Sequence, residues 1–466
     1  MSISKEEINN ILEESNNFQY VELNEKNLDE LITIINKNYD KNIDLRKKSN
    51  NYMDYIQIEE QLNEDLSVLQ RVSAYPNLIP IFIKYNGIEL MIDILNHPNI
   101  DIVNKIINLI QELTESDFLI NIEKPKFFIE LLLNYNLFDL LIENLEKIDK
   151  EYSEDTIQYK LDILSIFENY FDVYPLTAEI LGNNNKNIFL WLLNTIKENI
   201  NKHINLTLFC AEILYQLLEY DKNLIYFSEI EGLTILITII LQENILFNNE
   251  KRDNPEYLEL INNIIDCVCI SLLEENNLKI FKKSDGINNF INLMKENTIF
   301  KNLALKVIKF SLNNNKNNCE EFINNNGLSV LFSYFMGKGF KKNEKKEKIN
   351  KNEENVIEII YYLIKFTNGI QKERLIYKFK ENNYEKLKRL INYYYKYYKK
   401  FLDEYENNKN NNELDEENKN EIIYFKKIIE FIILFLYNLK DDIYFKKLDF
   451  FSNKINELIN ISEFKE

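Results

Sequence analysis

An all-α fold of stacked helical units is what this sequence predicts, on three observations. Its 466 residues hold only 8 Gly and 6 Pro, sparse punctuation that suits long helices and opposes a β-sandwich or a turn-rich α/β enzyme. Apolar residues recur at helical spacing along most of the chain. One layout, a short, a middle and a long apolar helix, returns at intervals of 41 to 54 residues. A unit of that size cannot bury its apolar faces alone and must stack on neighbours. The expected architecture is an armadillo/HEAT-like superhelical solenoid with an N-terminal helical cap and a helical C-terminal domain.

The clearest unit covers residues 76–117. Leu78, Ile79, Ile81 and Phe82 form a short apolar element that ends at Asn86-Gly87. Ile88, Met91, Ile92, Ile94 and Leu95 share one face of a middle helix, closed by His97-Pro98-Asn99. Ile102, Val103, Ile106, Ile107, Leu109, Ile110 and Leu113 define the long third helix. The same layout recurs with markers at 87, 136, 187, 232, 286 and 327. Asn136 stands in the place of Gly87, while an Asn-Gly or acidic-Gly pair returns at 86–87, 231–232, 285–286 and 326–327. Glycine is expected there because it takes a positive-φ turn without steric cost. The domain reading is therefore 1–75 as N-terminal helical cap, 76–336 as armadillo-like repeats, 337–355 as a charged flexible loop, and 356–466 as a C-terminal helical region. That last region contains an acidic, asparagine-rich linker over 406–420.

The formal net charge is −19, a field that repels nucleic acid and attracts basic protein segments, besides keeping a protein soluble. Cys210, Cys267, Cys269 and Cys319 stand at no metal or redox spacing and read as buried thiols. The most apolar run, 428–439, is too short to span a bilayer and contains Glu430, so no membrane partner is expected. His97 lies in a proline turn and His203 at a helix start, neither with a nucleophile motif beside it. There is no glycine-rich phosphate loop and no metal-spaced cluster. These residues point away from an enzyme, and no cofactor or metal is expected.

Interaction chemistry is better supported. In such a solenoid the third helices line a groove, and side chains four apart on one edge face an extended ligand. That edge carries Asp101, Asn104, Asn108 and Glu112 in the first unit, and Asp162, Ser165 and Asn169 in the second. Glu212, Tyr215 and Glu219 follow in the third, and Asn262 and Asp266 in the fourth. Carboxylates there pair with Lys or Arg of a basic peptide, while asparagines hold its backbone. The bland reading of each residue is an ordinary solvated face; only the set has weight. Two other functions stand beside this one. A transport receptor of importin-α type is disfavoured because Trp191 is the only tryptophan, so the tryptophan-asparagine ladder of that family is missing. RNA binding through the basic, tyrosine-rich stretch KLKRLINYYYKYYKK, 386–400, is the other; its tyrosines fall at helical spacing and are expected to pack on a neighbouring helix. Its positive face suits the acidic body or a second copy of the chain equally, so a homodimer is also open.

Particular strings resemble one family, in order: NHPNIDIVNKIINLIQELTESD, LFDLLIENLEKIDKE, GLTILITIILQ, NNCEEFINNNGLSVLFSYFM and RLIYKFKENNYEKLKRLI. They are similar to the beta-catenin-like protein 1 family, nuclear armadillo proteins associated with the spliceosome, over roughly 24–460. The resemblance implies a nuclear, non-catalytic adaptor of the NineTeen complex in pre-mRNA splicing. It further implies binding to basic, nuclear-localisation-type segments of splicing proteins, notably a Myb-domain core splicing factor. The chain starts almost at the folded part, without the family's basic N-terminal extension. Nuclear entry is therefore expected to depend on a partner or on the lysine tract 341–351.

Overall fold

Helices in triplets recur through most of the described residues, and no strand occurs among them. The computed structural model describes residues 23–48, 51–149, 156–338, 346–408, 423–424, 427–429 and 431–432. Residues 1–22 of the expected cap, residues 339–345 of the expected 337–355 loop, most of the acidic linker and most of the expected C-terminal region after 424 lie outside them. Two compact units are present, Met1–Leu192 with Asn205–Tyr220, and Leu193–Ile204 with Asp221–Glu466.

In the first unit the repeats run Ile79–Lys84, Gly87–Ile94, Ile100–Thr114 and then Pro125–Asn134, Leu137–Ile148, Thr156–Val173. The third helix of the first repeat shows how local sequence sets these elements. The Asn99 side chain caps it by accepting the Asp101 N–H at 2.8 Å, satisfying one of the orphan donors of the first turn. Its seven apolar stripe residues are all buried, and extended backbone at Glu115 stops it. Trp191 is buried, and its indole N–H donates to Asp149 Oδ2 at 2.7 Å, so it anchors packing as its type requires.

Glycine acts differently from the sequence expectation. The positive φ belongs to the residue before it: Asn86, Glu231, Asp285 and Asn326 are left-handed at φ 60, 52, 54 and 62°, and Asn136 likewise at 56°. The glycine that follows is the first residue of the middle helix. It is small because a phenylalanine five residues earlier lies against it: Phe82 on Gly87, Phe227 on Gly232, Phe281 on Gly286, Phe322 on Gly327. Asn136 thus corresponds to Asn86 rather than to Gly87, and in that repeat buried Leu132 and Leu137 replace the Phe/Gly pair.

The N-terminal helices Glu25–Lys48 and Ile56–Leu69 are tied to the first repeat by a buried polar cluster. Glu59 accepts from Arg46 Nε at 3.1 Å, from a second, shorter Arg46 bond, and from Asn99 Nδ2 at 2.6 Å. Burial pushes the Glu59 carboxyl up, but these bonds outweigh it and the net shift is downward. His97 accepts the Asn99 N–H on Nδ1 at 3.0 Å, which leaves Nε2–H to donate to Asn42 Oδ1 at 3.0 Å.

The second unit repeats the plan in Asp221–Glu229, Gly232–Ile245, Pro255–Ser271, then Glu275–Lys283, Gly286–Leu293, Phe300–Leu312, then Lys316–Asn324, Gly327–Phe335, Lys346–Phe366. The last of these helices begins inside the stretch read as a charged loop: Asn352 and Asn355 are buried, and Glu353 is ion-paired. Glu243, 2% exposed, is held by Lys251 Nζ at 2.5 Å, Tyr257 Oη at 2.8 Å and Asn201 Nδ2 at 3.1 Å. Gly369–Asn408 is two helices joined by a break, where Asn382, Asn383 and Tyr384 are all left-handed. Asparagine tolerates that region and tyrosine does so at a cost. The four cysteines are buried, and burial raises each thiol, Cys269 and Cys319 to about 12. Among the described residues no helix is long and apolar enough to cross a membrane, and no group of side chains is placed to hold a metal.

Candidate peptide interface

The long third helices Ile100–Thr114 and Thr156–Val173 lie side by side in the first unit, and the expected binding residues meet across them. Tyr159 Oη donates to Asp101 Oδ1 at 3.1 Å. The Asn108 amide, with its nitrogen toward the neighbouring helix, donates to Asp162 Oδ2 at 2.7 Å and to the Asn104 carbonyl at 3.3 Å. Asn169 Nδ2 donates to the Gln111 carbonyl at 3.3 Å and to Thr114 Oγ1 at 3.1 Å. The asparagines therefore spend donors on the neighbouring helix rather than holding them all open. Ser165 is half-buried on the same face.

Several half-buried carboxylates lie along the same helices. Burial raises the Asp162 carboxyl against a 2.7 Å bond from Gln158. Glu112 is half-buried and helps to line a polar cavity of ~950 Å³ with Glu115 and Asp117. Glu168, which the sequence reading passed over, is raised by burial and then by the charges of Asp172 and Glu212. It adjoins Asn169 in sequence, yet its approach to Glu212 crosses between helices and has no local signal. Tyr215, three positions after Glu212, is half-buried. Glu219 is exposed and falls beyond the end of its helix, Ile204–Leu218; with Glu179 its charge acts on Tyr220, whose hydroxyl burial has already raised.

In the second unit the expected acidic face is largely neutralised from within. Lys306 pairs with Asp266, and Lys309 Nζ lies 3.6 Å from Glu358. Asn262 is exposed and turns its amide onto the Leu258 carbonyl of its own helix at 2.6 Å.

The basic tyrosine-rich helix is also occupied. Tyr393 and Tyr397 are buried, and Tyr397 Oη donates to Glu354 at 2.6 Å. Arg389 and Lys396 pair with Glu353 at 3.3 and 3.2 Å, and Lys386 with Glu381 at 3.0 Å. Faces spent on packing are not available to stack bases. The Tyr394 and Tyr398 side chains lie outside the described residues.

A family model described as "Catenin-beta-like, Arm-motif containing nuclear" matches residues 6–437. Human Beta-catenin-like protein 1 is 28% identical over 380 residues, covering 80% of this chain and 66% of that protein. The Schizosaccharomyces pombe homolog is 25% identical over 375 residues, covering 79% and 63%. The chain thus spans just under two thirds of the length of these relatives. Among solved structures, a computationally designed armadillo repeat protein for modular peptide recognition aligns at a TM-score of 0.41 and 12% identity, over 58% of this chain and 98% of that one. A designed armadillo repeat protein in complex with the peptide (KR)4 aligns at 0.41 and 11%, over 58% and 97%.

Proposed function

Because the chain belongs to the catenin-beta-like family of Arm-motif nuclear proteins, we propose that it is a nuclear, non-catalytic scaffold of the pre-mRNA splicing machinery. In this reading it serves the NineTeen complex by holding basic, nuclear-localisation-type segments of splicing proteins. A protein-binding scaffold is what the family and the armadillo plan support; the splicing partners are the finer part of the proposal.

One observation carries the binding mode. Glu168, Asp172 and Glu212 gather on the third-helix face of the first unit, with Glu168 raised by burial and by its like-charged neighbours. No cation among the described residues pairs with Glu168. A Lys or Arg side chain entering there relieves that repulsion and gains charge-assisted hydrogen bonds. The acidic face of the first unit therefore receives the basic segment, while the second unit supplies packing.

The test is fluorescence anisotropy with a lysine/arginine-rich peptide and an acidic control. Binding confined to the basic peptide, weakened by salt and weakened ~10-fold in Glu168→Gln/Glu212→Gln, supports the reading. Unchanged affinity in that double variant counts against it.

A further inference from the structure

Three of the eight glycines follow an asparagine, at 86–87, 326–327 and 368–369. Asparagine before glycine is open to succinimide formation, because glycine has no Cβ to hinder its own nitrogen or to restrict its backbone. Ring closure needs the glycine nitrogen to swing onto the side-chain carbonyl carbon of the asparagine. The three pairs differ in their freedom to make that turn.

At 86–87 and 326–327 the backbone is locked. Asn86 and Asn326 are left-handed, at φ 60°, ψ 33° and φ 62°, ψ 23°. The Asn86 N–H donates to the Ile83 carbonyl and its own carbonyl accepts from the Leu90 N–H, both at 3.1 Å; Ile323 at 3.3 Å and Ser329 at 3.1 Å hold Asn326 in the same way. Each glycine that follows is buried under a ring, Phe82 or Phe322. Asn368-Gly369 lacks these restraints. Both residues are exposed, and neither the Asn368 side chain nor the Gly369 N–H has a hydrogen-bond partner among the described residues. Gly369 opens its helix, so its N–H is one of the donors that the first turn leaves over. A Cβ placed on Gly369 would meet nothing within 4 Å. The chain is pinned on either side of this joint. Buried Thr367 returns its N–H and Oγ1 to the Leu363 carbonyl at 3.2 and 2.6 Å, and Leu375 is buried. Ile370, between them, is 67% exposed, so the intervening turn opens without unpacking the core.

We propose that Asn368 is a modification site, at which the folded chain converts asparagine to aspartate and isoaspartate while Asn86 and Asn326 are protected. The Gly369 nitrogen attacks Asn368 Cγ, and the new N–Cγ bond closes a five-membered succinimide. The Cγ–Nδ2 bond breaks, and Nδ2 leaves as ammonia with the proton given up by the Gly369 nitrogen. Water then adds to one of the two ring carbonyls and opens the ring to aspartate or isoaspartate, with no change of oxidation state. Either product places a negative charge at a helix N-terminus, where the helix dipole favours it. Isoaspartate also adds one carbon to the main chain between the helices Lys346–Phe366 and Gly369–Asn408.

The experiment incubates the full chain at mildly alkaline pH, once folded and once in guanidinium chloride. Peptide mass spectrometry then follows the amide-to-acid change and the isoaspartate at each of the three pairs. In the folded chain Asn368 is expected to convert at least ~10-fold faster than Asn86 or Asn326, whose reaction must wait for local opening. In guanidinium chloride the three are expected to convert at comparable rates. Conversion of Asn86 or Asn326 as fast as Asn368 in the folded chain overturns the proposal. Asn368 remaining intact while the denatured chain reacts overturns it as well. A difference among the three sites that persists in guanidinium chloride also overturns it, because flanking sequence rather than the fold would then set the rates. Peptide binding at the acidic face is not read by these measurements, so the two proposals fail separately.

Discussion

The ring of Phe281 lies against Gly286 so closely that a Cβ placed on the glycine would stand 2.6 Å from two ring carbons. Gly286→Ala therefore forces overpacking, worth about 1–3 kcal/mol, which outweighs the ~1 kcal/mol that alanine gains over glycine in a helix. The second repeat shows how evolution relieves the same contact, with Leu132 and Leu137 both buried in the equivalent places. Phe281→Leu is expected to recover most of the loss in the Gly286→Ala background, as read by thermal or urea denaturation. Gly327→Ala should resist the corresponding rescue by Phe322→Leu, because its Cβ also meets the Phe322 backbone carbonyl at 2.6 Å.

That pairing marks the limit of what was legible in the sequence. Helix positions followed from apolar spacing, since Ile102 to Leu113 could bury only as one stripe. The Asn-Gly and acidic-Gly pairs identified the turns, but the left-handed residue is the one before glycine. Glycine itself answers to a ring five positions back, a packing fact that dihedral preference does not contain. Long-range pairing was equally hidden: Asp266 meets Lys306 across forty positions of sequence, and Asn108 meets Asp162 across helices. A side chain chosen for an open groove edge by i, i+4 geometry alone carries no record of its neighbour on the next repeat.

The cluster around Glu59 predicts a pH-dependent stability. Burial holds His97 down at about 4 in the fold, whereas an unfolded histidine titrates near 6.5. Between those values the unfolded chain binds a proton that the folded chain refuses. Stability therefore falls as pH drops from about 6.5 toward 4, at up to ~1.4 kcal/mol per pH unit. Glu59, lowered in the fold, adds stability at neutral pH that is lost at still lower pH, as its folded form takes up a proton. His97→Asn should flatten the upper window and leave the lower one, measured as urea midpoints across pH.

Glu243 should be intolerant of losing its cation. It is buried with Lys251, Tyr257 and Asn201 as donors, and Lys251→Met leaves a carboxylate uncompensated. The expected cost is about 3–5 kcal/mol, against about 1.5–3 kcal/mol for Tyr257→Phe, which removes one hydrogen bond to a charged group. A Glu243→Gln partner substitution should recover much of the Lys251→Met loss, a coupling that a double-mutant cycle in chemical denaturation measures.

Tyr397 distinguishes packing from nucleic-acid stacking. It is 1% exposed and bonded to Glu354, so Tyr397→Phe is expected to destabilise the chain by about 1.5–3 kcal/mol. The same substitution should leave retention of a single-stranded RNA unchanged in a filter assay. Loss of RNA binding in a variant that remains folded would assign Tyr397 to stacking.

Charge reversal separates the two ends of the proposed acidic face. Glu112 lies within the third helix of its repeat and on the wall of a polar cavity with Glu115 and Asp117, so a peptide cation entering there meets several carboxylates at once. Glu219 lies beyond the last turn of Ile204–Leu218 and is exposed, where screening reduces a single charge to a small contribution. Glu112→Lys is expected to weaken a basic peptide by ~10-fold or more and to lower the salt dependence of binding. Glu219→Lys should change affinity by less than about threefold, because exposed single charges contribute ~1 kcal/mol or less. Titration of both variants against one peptide at two salt concentrations measures the difference. Equal losses would move the binding face outward to the helix end.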